Sequence, residues 1–178
     1  RHREMYWVSR VTRAVDEGRL ELYSQPIMPT RAASPRLPPF CELLVRLRDD
    51  DGKLILPGEF IPAAERYNIV GAIDRWVVER AVARLREYLA AGREPPLLAV
   101  NLSGNSICER SFLDFVLAQV EDPAIGRSLC FEITETAVIT SLEQAVYFMQ
   151  QVKKSGCRFS LDDFGTGLSS FHYLKTLP

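Results

Sequence analysis

Four oxygen-bearing side chains recur along this chain at intervals of roughly one strand-plus-helix unit. Glu42 lies in the apolar run Phe40 to Leu47, Asn101 closes the run Leu97 to Asn101, Glu132 sits near the end of Leu129 to Ile133, and Asp162-Asp163 follows Arg158 to Leu161. Thirty-one residues separate Asn101 from Glu132, 30 separate Glu132 from Asp162, and 59 separate Glu42 from Asn101, where a helical segment around Phe60-Ile61-Pro62-Ala63-Ala64-Glu65 lengthens the unit. A βαβ unit takes ~30 residues, so strands of one parallel sheet would bring these groups to the same end. A carboxylate inside Leu129-Cys130-Phe131-Glu132-Ile133 needs a partner, because a buried charge without one is costly. For any single residue an Arg or Lys ion pair is as good an account as a metal. Four at one rim favour a divalent cation, and oxygen donors without converging His or Cys suit Mg²⁺ or Mn²⁺ better than Zn²⁺. Asp163 would serve a second ion, since paired metals can stabilise both the attacking and the leaving oxygen on phosphorus.

Asp162-Asp163-Phe164-Gly165-Thr166-Gly167 adds a glycine-bearing turn directly after a strand. Two glycines allow tight backbone geometry beside a ligand. The segment is neither a G-x-G-x-x-G dinucleotide fingerprint nor a Walker loop, and nothing resembling a kinase catalytic loop precedes its D-F-G.

The elements that must carry these groups follow from periodicity. The first twenty residues read as a helix, with Trp7, Val8, Val11, Ala14 and Val15 on one face and Gly18 at its stop. A strand Leu20 to Ile27 follows, and then Pro29 to Pro39, whose four prolines demand a loop. Phe40 to Leu47 ends at the turn Asp49-Asp50-Asp51-Gly52, after which helices dominate from Pro57 to Ala91; Val78, Ala81, Val82, Leu85 and Leu89 form one stripe, closed by Gly92. Ile107 to Val120 is predicted as one helix, and Ser141 with Gln144 as a capping box opening another that stops at Gly156. Strand, helix, strand, helix, strand with short connections from Leu97 onward predicts an α/β fold with parallel βαβ units, either a doubly wound sheet or a barrel.

Composition narrows the function classes. With 47% hydrophobic and 25% charged residues the chain is an ordinary folded one, and a net charge of -1 offers no global field for a DNA or RNA polymer or an anionic membrane. No apolar run approaches the ~20 residues of a membrane span, and Arg1 to Val15 lacks the order of a signal peptide, so a cytoplasmic protein is expected. Cys41, Cys108, Cys130 and Cys157 stand far apart and are expected to be small buried apolar residues without chemistry.

The motifs in order resemble the EAL domain, the cyclic di-GMP phosphodiesterase module of bacterial signalling. They are Gln25-Pro26-Ile27, Glu42-Leu43-Leu44-Val45-Arg46 for E-x-L-x-R, Phe60 to Glu65, Asn101-Leu102-Ser103, Glu132-Ile133-Thr134-Glu135, and Asp162 to Gly167. The resemblance implies a (β/α)₈ TIM-type barrel with its site at the C-terminal strand ends. It implies that Glu42, Asn101, Glu132 and Asp162 hold one Mg²⁺ or Mn²⁺, that Asp163 contributes to a second, and that Glu135 steadies the loop from Asp163 to Ser170. Gln25, Leu44 and Arg46 would contact cyclic di-GMP, the guanidinium fork of Arg46 suiting a phosphate. For Arg46 alone a structural ion pair is the competing account.

Two departures accompany the match. Leu43 replaces the signature's alanine and, alternating with Glu42 along a strand, should be a packing change. The chain also ends at Pro178, before the family's next strand with its lysine and before a later glutamate of the metal site. About five strands are present where a barrel has eight in ~250 residues, so residues 1–178 are expected to be a partial EAL domain, lacking the C-terminal part of the barrel and not fully active alone. The expected function is two-metal hydrolysis of cyclic di-GMP to linear pGpG; the alternative is a receptor that binds the dinucleotide without cleaving it. A homodimer and an attached sensory or cyclase-like domain stay open.

Overall fold

The computed structural model describes residues 2–29, 38–163, 165 and 171–178 of the chain. Along the sequence run α1 (His2–Asp16), β1 (Leu20–Ile27), β2 (Phe40–Arg48), β3 (Leu54–Ile55), α2 (Pro57–Arg66), α3 (Val70–Ala90), β4 (Leu97–Leu102), α4 (Gly104–Ile107) and α5 (Arg110–Gln119). There follow α6 (Pro123–Arg127), β5 (Leu129–Thr134), α7 (Glu135–Thr140), α8 (Leu142–Lys153), β6 (Arg158–Asp162) and a 3₁₀ turn at Phe171–Lys175. The sheet order is β1-β2-β4-β5-β6. β2, β4, β5 and β6 are parallel, with α2 and α3, then α4 to α6, then α7 and α8 as crossovers. This is the α/β architecture with parallel βαβ units that the spacing predicts.

The start of the sheet departs from a uniform β/α repeat. β1 pairs antiparallel with β2, from Leu20↔Leu47 to Ile27↔Phe40. A parallel neighbour needs a crossover of a dozen or more residues, usually a helix, and the connection from Met28 to Pro39 carries four prolines that oppose one. Most of the predicted loop Pro29 to Pro39, residues 30–37, lies outside the described residues. β3 folds back antiparallel on the end of β2, across the acidic turn in which Asp49 Oδ1 accepts the backbone N–H groups of Asp51 and Lys53.

Strand alternation divides the sheet into two faces. Leu43, Leu47, Leu98, Val100, Leu102, Phe131 and Ile133 point to the helices and are buried in the core, so Leu43 is the packing residue its alternation with Glu42 predicts. Phe131 meets Phe159 at 5.8 Å between ring centroids, Phe159 meets Phe148 at 6.1 Å, and Phe148 stacks on Phe112 at 6.2 Å, which ties β5 and β6 to α8 and α5. Burying each such ring contributes about 1.5–3 kcal/mol. The predicted stripe of α3 is buried at Val78, Ala81, Val82 and Leu85 and half-buried at Leu89, and it extends toward the N-terminus through Val70, Ile73 and Val77. Gly18, Gly92 and Gly156 follow their helices with φ of 68°, 65° and 89°.

Three sequence expectations are corrected. Ile107 to Val120 is two helices: Ser103 caps α4 a turn earlier, and Glu109 breaks the path with φ −91° and ψ 122° before α5 begins. Ser141 makes no side-chain cap to α8, because α7 runs up to it and leaves it at φ −140°, ψ 56°; the cap that forms is Thr134 on α7, accepting from the N–H of Ala137 at 3.3 Å. Among the cysteines, Cys130 and Cys157 are buried as expected, Cys41 is half-buried, and Cys108 is exposed at the junction of α4 and α5. Burial pushes the Cys130 thiol up to about 11 and that of Cys157 up to about 12, which keeps both protonated and inert.

Candidate functional site at the strand ends

The inward face begins on β2, where Glu42, Leu44 and Arg46 alternate to one side. On one flank the register sets Glu42 opposite Gln25, Leu44 opposite Tyr23 and Arg46 opposite Glu21; on the other it sets Glu42 beside Ala99, two residues before Asn101. Asn101 pairs with Glu132, and Thr134 with Asp162. β4, β5 and β6 each extend one residue past the predicted end, so Asn101 and Asp162 are still held by the sheet. The four predicted oxygen donors therefore share one face and one end, and Asn101 Nδ2 donates to Glu42 Oε1 at 2.9 Å.

The carboxylates at this rim act on one another. Burial pushes the Glu132 carboxyl above its ordinary value, and the charges of Glu42 and Asp162 push it further. Among the described residues neither Glu42, Glu132 nor Asp162 has an Arg or Lys within ion-pair distance. Nor do three or more Asp, Glu, His or Cys side chains close into a coordinating cluster there. The rim is a loose row of acceptors around a Glu132 raised by burial and by its neighbours' charge, and a donor set of carboxylates plus one amide oxygen fits a hard divalent cation.

The raised Glu132 carboxyl predicts a pH effect. A carboxyl whose pKa is raised by folding holds a proton that the unfolded chain has already released, so metal-free stability falls as pH climbs from the ordinary carboxylate range through the raised value. Glu132→Gln should flatten this limb and raise the melting temperature at neutral pH without metal. Identical pH slopes for the two proteins would show that Glu132 is not under strain.

A cavity of about 430 Å³ opens at the rim, lined among others by Leu44, Glu65, Asn101, Glu132, Asp162 and Asp163. A larger one of about 560 Å³ lies on the other face, between β1, β2 and α3, and no predicted site residue lines it. Arg46 forms no ion pair among the described residues; its guanidinium donates to the carbonyl of Val45 and sits 5.8 Å from the ring centroid of Tyr23. Gln25 is exposed on the same face, one register step from Tyr23.

Beyond β6 the chain turns sharply. Asp163 has φ 53°, a left-handed backbone that Asp tolerates better than most residues, and its N–H donates to Asp162 Oδ1 at 2.9 Å. Glu135, only 2% exposed at the start of α7, accepts the Gly165 N–H on Oε2 at 2.6 Å and the Tyr173 hydroxyl on Oε1 at 2.8 Å. Phe164, Thr166 and Gly167 of the predicted glycine-bearing turn, with the stretch to Ser170, lie outside the described residues.

Two residues near the rim escaped the sequence reading. Tyr23 shares the face of Gln25 and is 44% exposed; its signal was alternation, two places before Gln25. Asp74 is buried on the apolar stripe of α3 and accepts bonds from Ser103 and Ser106; a lone carboxylate between Ile73 and Val77 was the sign.

A largely parallel α/β sheet with oxygen donors gathered near one end of its strands is the arrangement of barrel-type α/β proteins, whose sites lie at the C-terminal strand ends. The family model described as the EAL domain matches residues 8–178, and the chain belongs to that family. Cyclic di-GMP phosphodiesterase PdeB of Shewanella oneidensis is 35% identical over 173 residues, which cover 97% of this chain and 20% of that protein. The solved PaMucR phosphodiesterase, in a cyclic di-GMP complex, superposes with a TM-score of 0.83 at 29% identity, over 97% of this chain and 69% of that one. The Xanthomonas citri FimX EAL domain in complex with cyclic di-GMP gives 0.82 at 29% identity, over 99% and 67%. The fold is thus of the TIM-barrel type, and the chain spans about a fifth of the length of the curated relatives it matches.

Proposed function

We propose that the protein carrying this chain hydrolyses cyclic di-GMP to linear pGpG with divalent metal ions at the rim of β2, β4, β5 and β6. The observation that carries the reading is the ring of Glu42, Asn101, Glu132 and Asp162 on one sheet end, whose three carboxylates have no protein cation among the described residues, next to an Arg46 that forms no ion pair there. Glu42, Asn101, Glu132 and Asp162 would hold one Mg²⁺ or Mn²⁺, and Asp163 would contribute to a second. Bound metal supplies an activated water and offsets charge on the leaving 3′ oxygen. The chain's own part is placement. Arg46 offers two parallel donors to a phosphate, Gln25 and Leu44 flank it on the same face, and Glu135 fixes the backbone that follows Asp163. A cytoplasmic location suits four cysteines that are all free.

The test is chromatographic: full-length protein with cyclic di-GMP, with and without Mg²⁺ or Mn²⁺. Metal-dependent pGpG is expected. Binding without product from folded, metal-loaded protein would replace this reading with that of a receptor.

A further inference from the structure

The rim at β4 is anchored by a buried carboxylate that the proposed chemistry does not use. Asp74 is 6% exposed, and no Arg or Lys pairs with it among the described residues. A carboxylate so placed must draw its compensation from hydrogen-bond donors. Three converge on Oδ2 alone, all from the turn after β4: the Ser103 backbone N–H at 3.0 Å, the Ser103 hydroxyl at 2.6 Å and the Ser106 hydroxyl at 2.6 Å. While donating to Asp74, Ser103 Oγ accepts the Ser106 N–H at 3.2 Å and so caps α4.

The same turn is held from two further sides. Asn105 Nδ2 donates to the carbonyl of Glu65 at 3.0 Å and to Asn68 Oδ1 at 2.7 Å, which ties α4 to the end of α2. A Cβ added at Gly104 would lie 3.1 Å from the Ala137 Cβ of α7, so the turn has no slack in that direction. Asn101 stands two residues before Ser103 and reaches Glu42 across the strands. Where the Ser103 backbone is fixed, the exit of Asn101 from β4 is fixed with it.

We infer that Asp74 is a positioning residue for the metal rim: by gathering Ser103 and Ser106 onto one carboxylate oxygen it sets the place of Asn101 against Glu42, and through it the affinity of the rim for a divalent cation. The inference rests on the proposed function in taking Asn101 as a metal donor. Groups bonded directly to a metal ligand typically change affinity 10- to 100-fold when altered, and Asp74, acting one step further out through Ser103, is expected at the lower end.

The test is Mn²⁺ binding to the full-length protein by calorimetry, for wild type, Asp74→Asn, Asn101→Ala and the double variant. Asp74→Asn keeps the shape and an acceptor but removes the charge that lets one oxygen take three donors. It should retain wild-type helical circular dichroism, weaken Mn²⁺ about tenfold or more, and cost nothing further when Asn101 is already alanine. A lower melting temperature with unchanged Mn²⁺ affinity would make Asp74 merely structural and overturn the inference, as would losses that add in the double variant. Wild-type affinity in Asn101→Ala, with Asp74 intact, would instead remove Asn101 from the metal reading and this inference with it. Should Asp74→Asn fail to fold, Ser106→Ala removes a single donor and is expected to shift Mn²⁺ affinity in the same direction by less; no shift overturns the inference.

Discussion

Asp162→Ala in the full-length protein is expected to abolish metal-dependent cleavage of cyclic di-GMP while leaving the fold in place. Asp162 is exposed at the end of β6, and the one side-chain hydrogen bond it accepts among the described residues comes from the N–H of Asp163. Its loss should therefore cost within about 0.5 kcal/mol of stability, the scale of an exposed substitution. The functional cost is different in kind. Burial first, then the charges of Glu42 and Asp162, hold the Glu132 carboxyl up, so removing Asp162 takes away part of the negative field that a divalent cation would neutralise. Losing one electrostatic stabiliser of a transition state commonly costs ~100- to 1000-fold in rate, and a metal donor should cost at least that. Product formation over time, measured chromatographically at saturating Mn²⁺, is the readout. A wild-type rate would remove Asp162 from the site, and a rate restored by tenfold more metal would limit its role to affinity.

The parts of this fold that sequence conveys are those governed by one physical signal at a time. β4 and β5 are short, mostly buried apolar runs, as parallel strands covered by helices must be, β6 is a more exposed one, and their spacing alone places Asn101, Glu132 and Asp162 on one edge. Where two signals compete, the reading fails. Ser141 and Gln144 have the spacing of a capping box, but the residue before α8 is also the last of α7, and its backbone cannot supply the extended geometry of a cap. The antiparallel turn of β1 onto β2 is set by what a proline-rich connection cannot do rather than by anything within the strands. Tertiary bonding decided the third case. Ser106 is a poor helix former, and the single capped turn there is held by bonds to distant residues, among them the buried Asp74 32 residues earlier.

Glu135→Ala should produce the largest loss of stability among the polar substitutions considered, together with a loss of activity. The Glu135 side chain, 2% exposed, holds two donors: the hydroxyl of Tyr173, itself 7% exposed and shielded from water, and the N–H of Gly165, which lies at an exposed position of the turn. Leaving a buried donor without an acceptor costs about 1–3 kcal/mol, which falls on the Tyr173 hydroxyl, and the cavity left by the side chain adds to it. The site suffers because of where those donors sit. Gly165 takes φ 85° two residues after Asp163 at φ 53°, a pair of left-handed turns that nothing in the local chain favours and that the Glu135 bond to the Gly165 N–H helps to hold. Glu135→Gln retains one acceptor oxygen and should lose less than alanine. Tyr173→Phe removes only the hydroxyl, at about 0.5–1.5 kcal/mol, and leaves the Gly165 bond intact. Urea unfolding should therefore rank the variants alanine, glutamine, then phenylalanine in order of lost stability, whereas cleavage of cyclic di-GMP should fall for both Glu135 variants and stay near wild type for Tyr173→Phe. If activity instead tracks stability across all three, Glu135 serves the core and not the turn that presents Asp163.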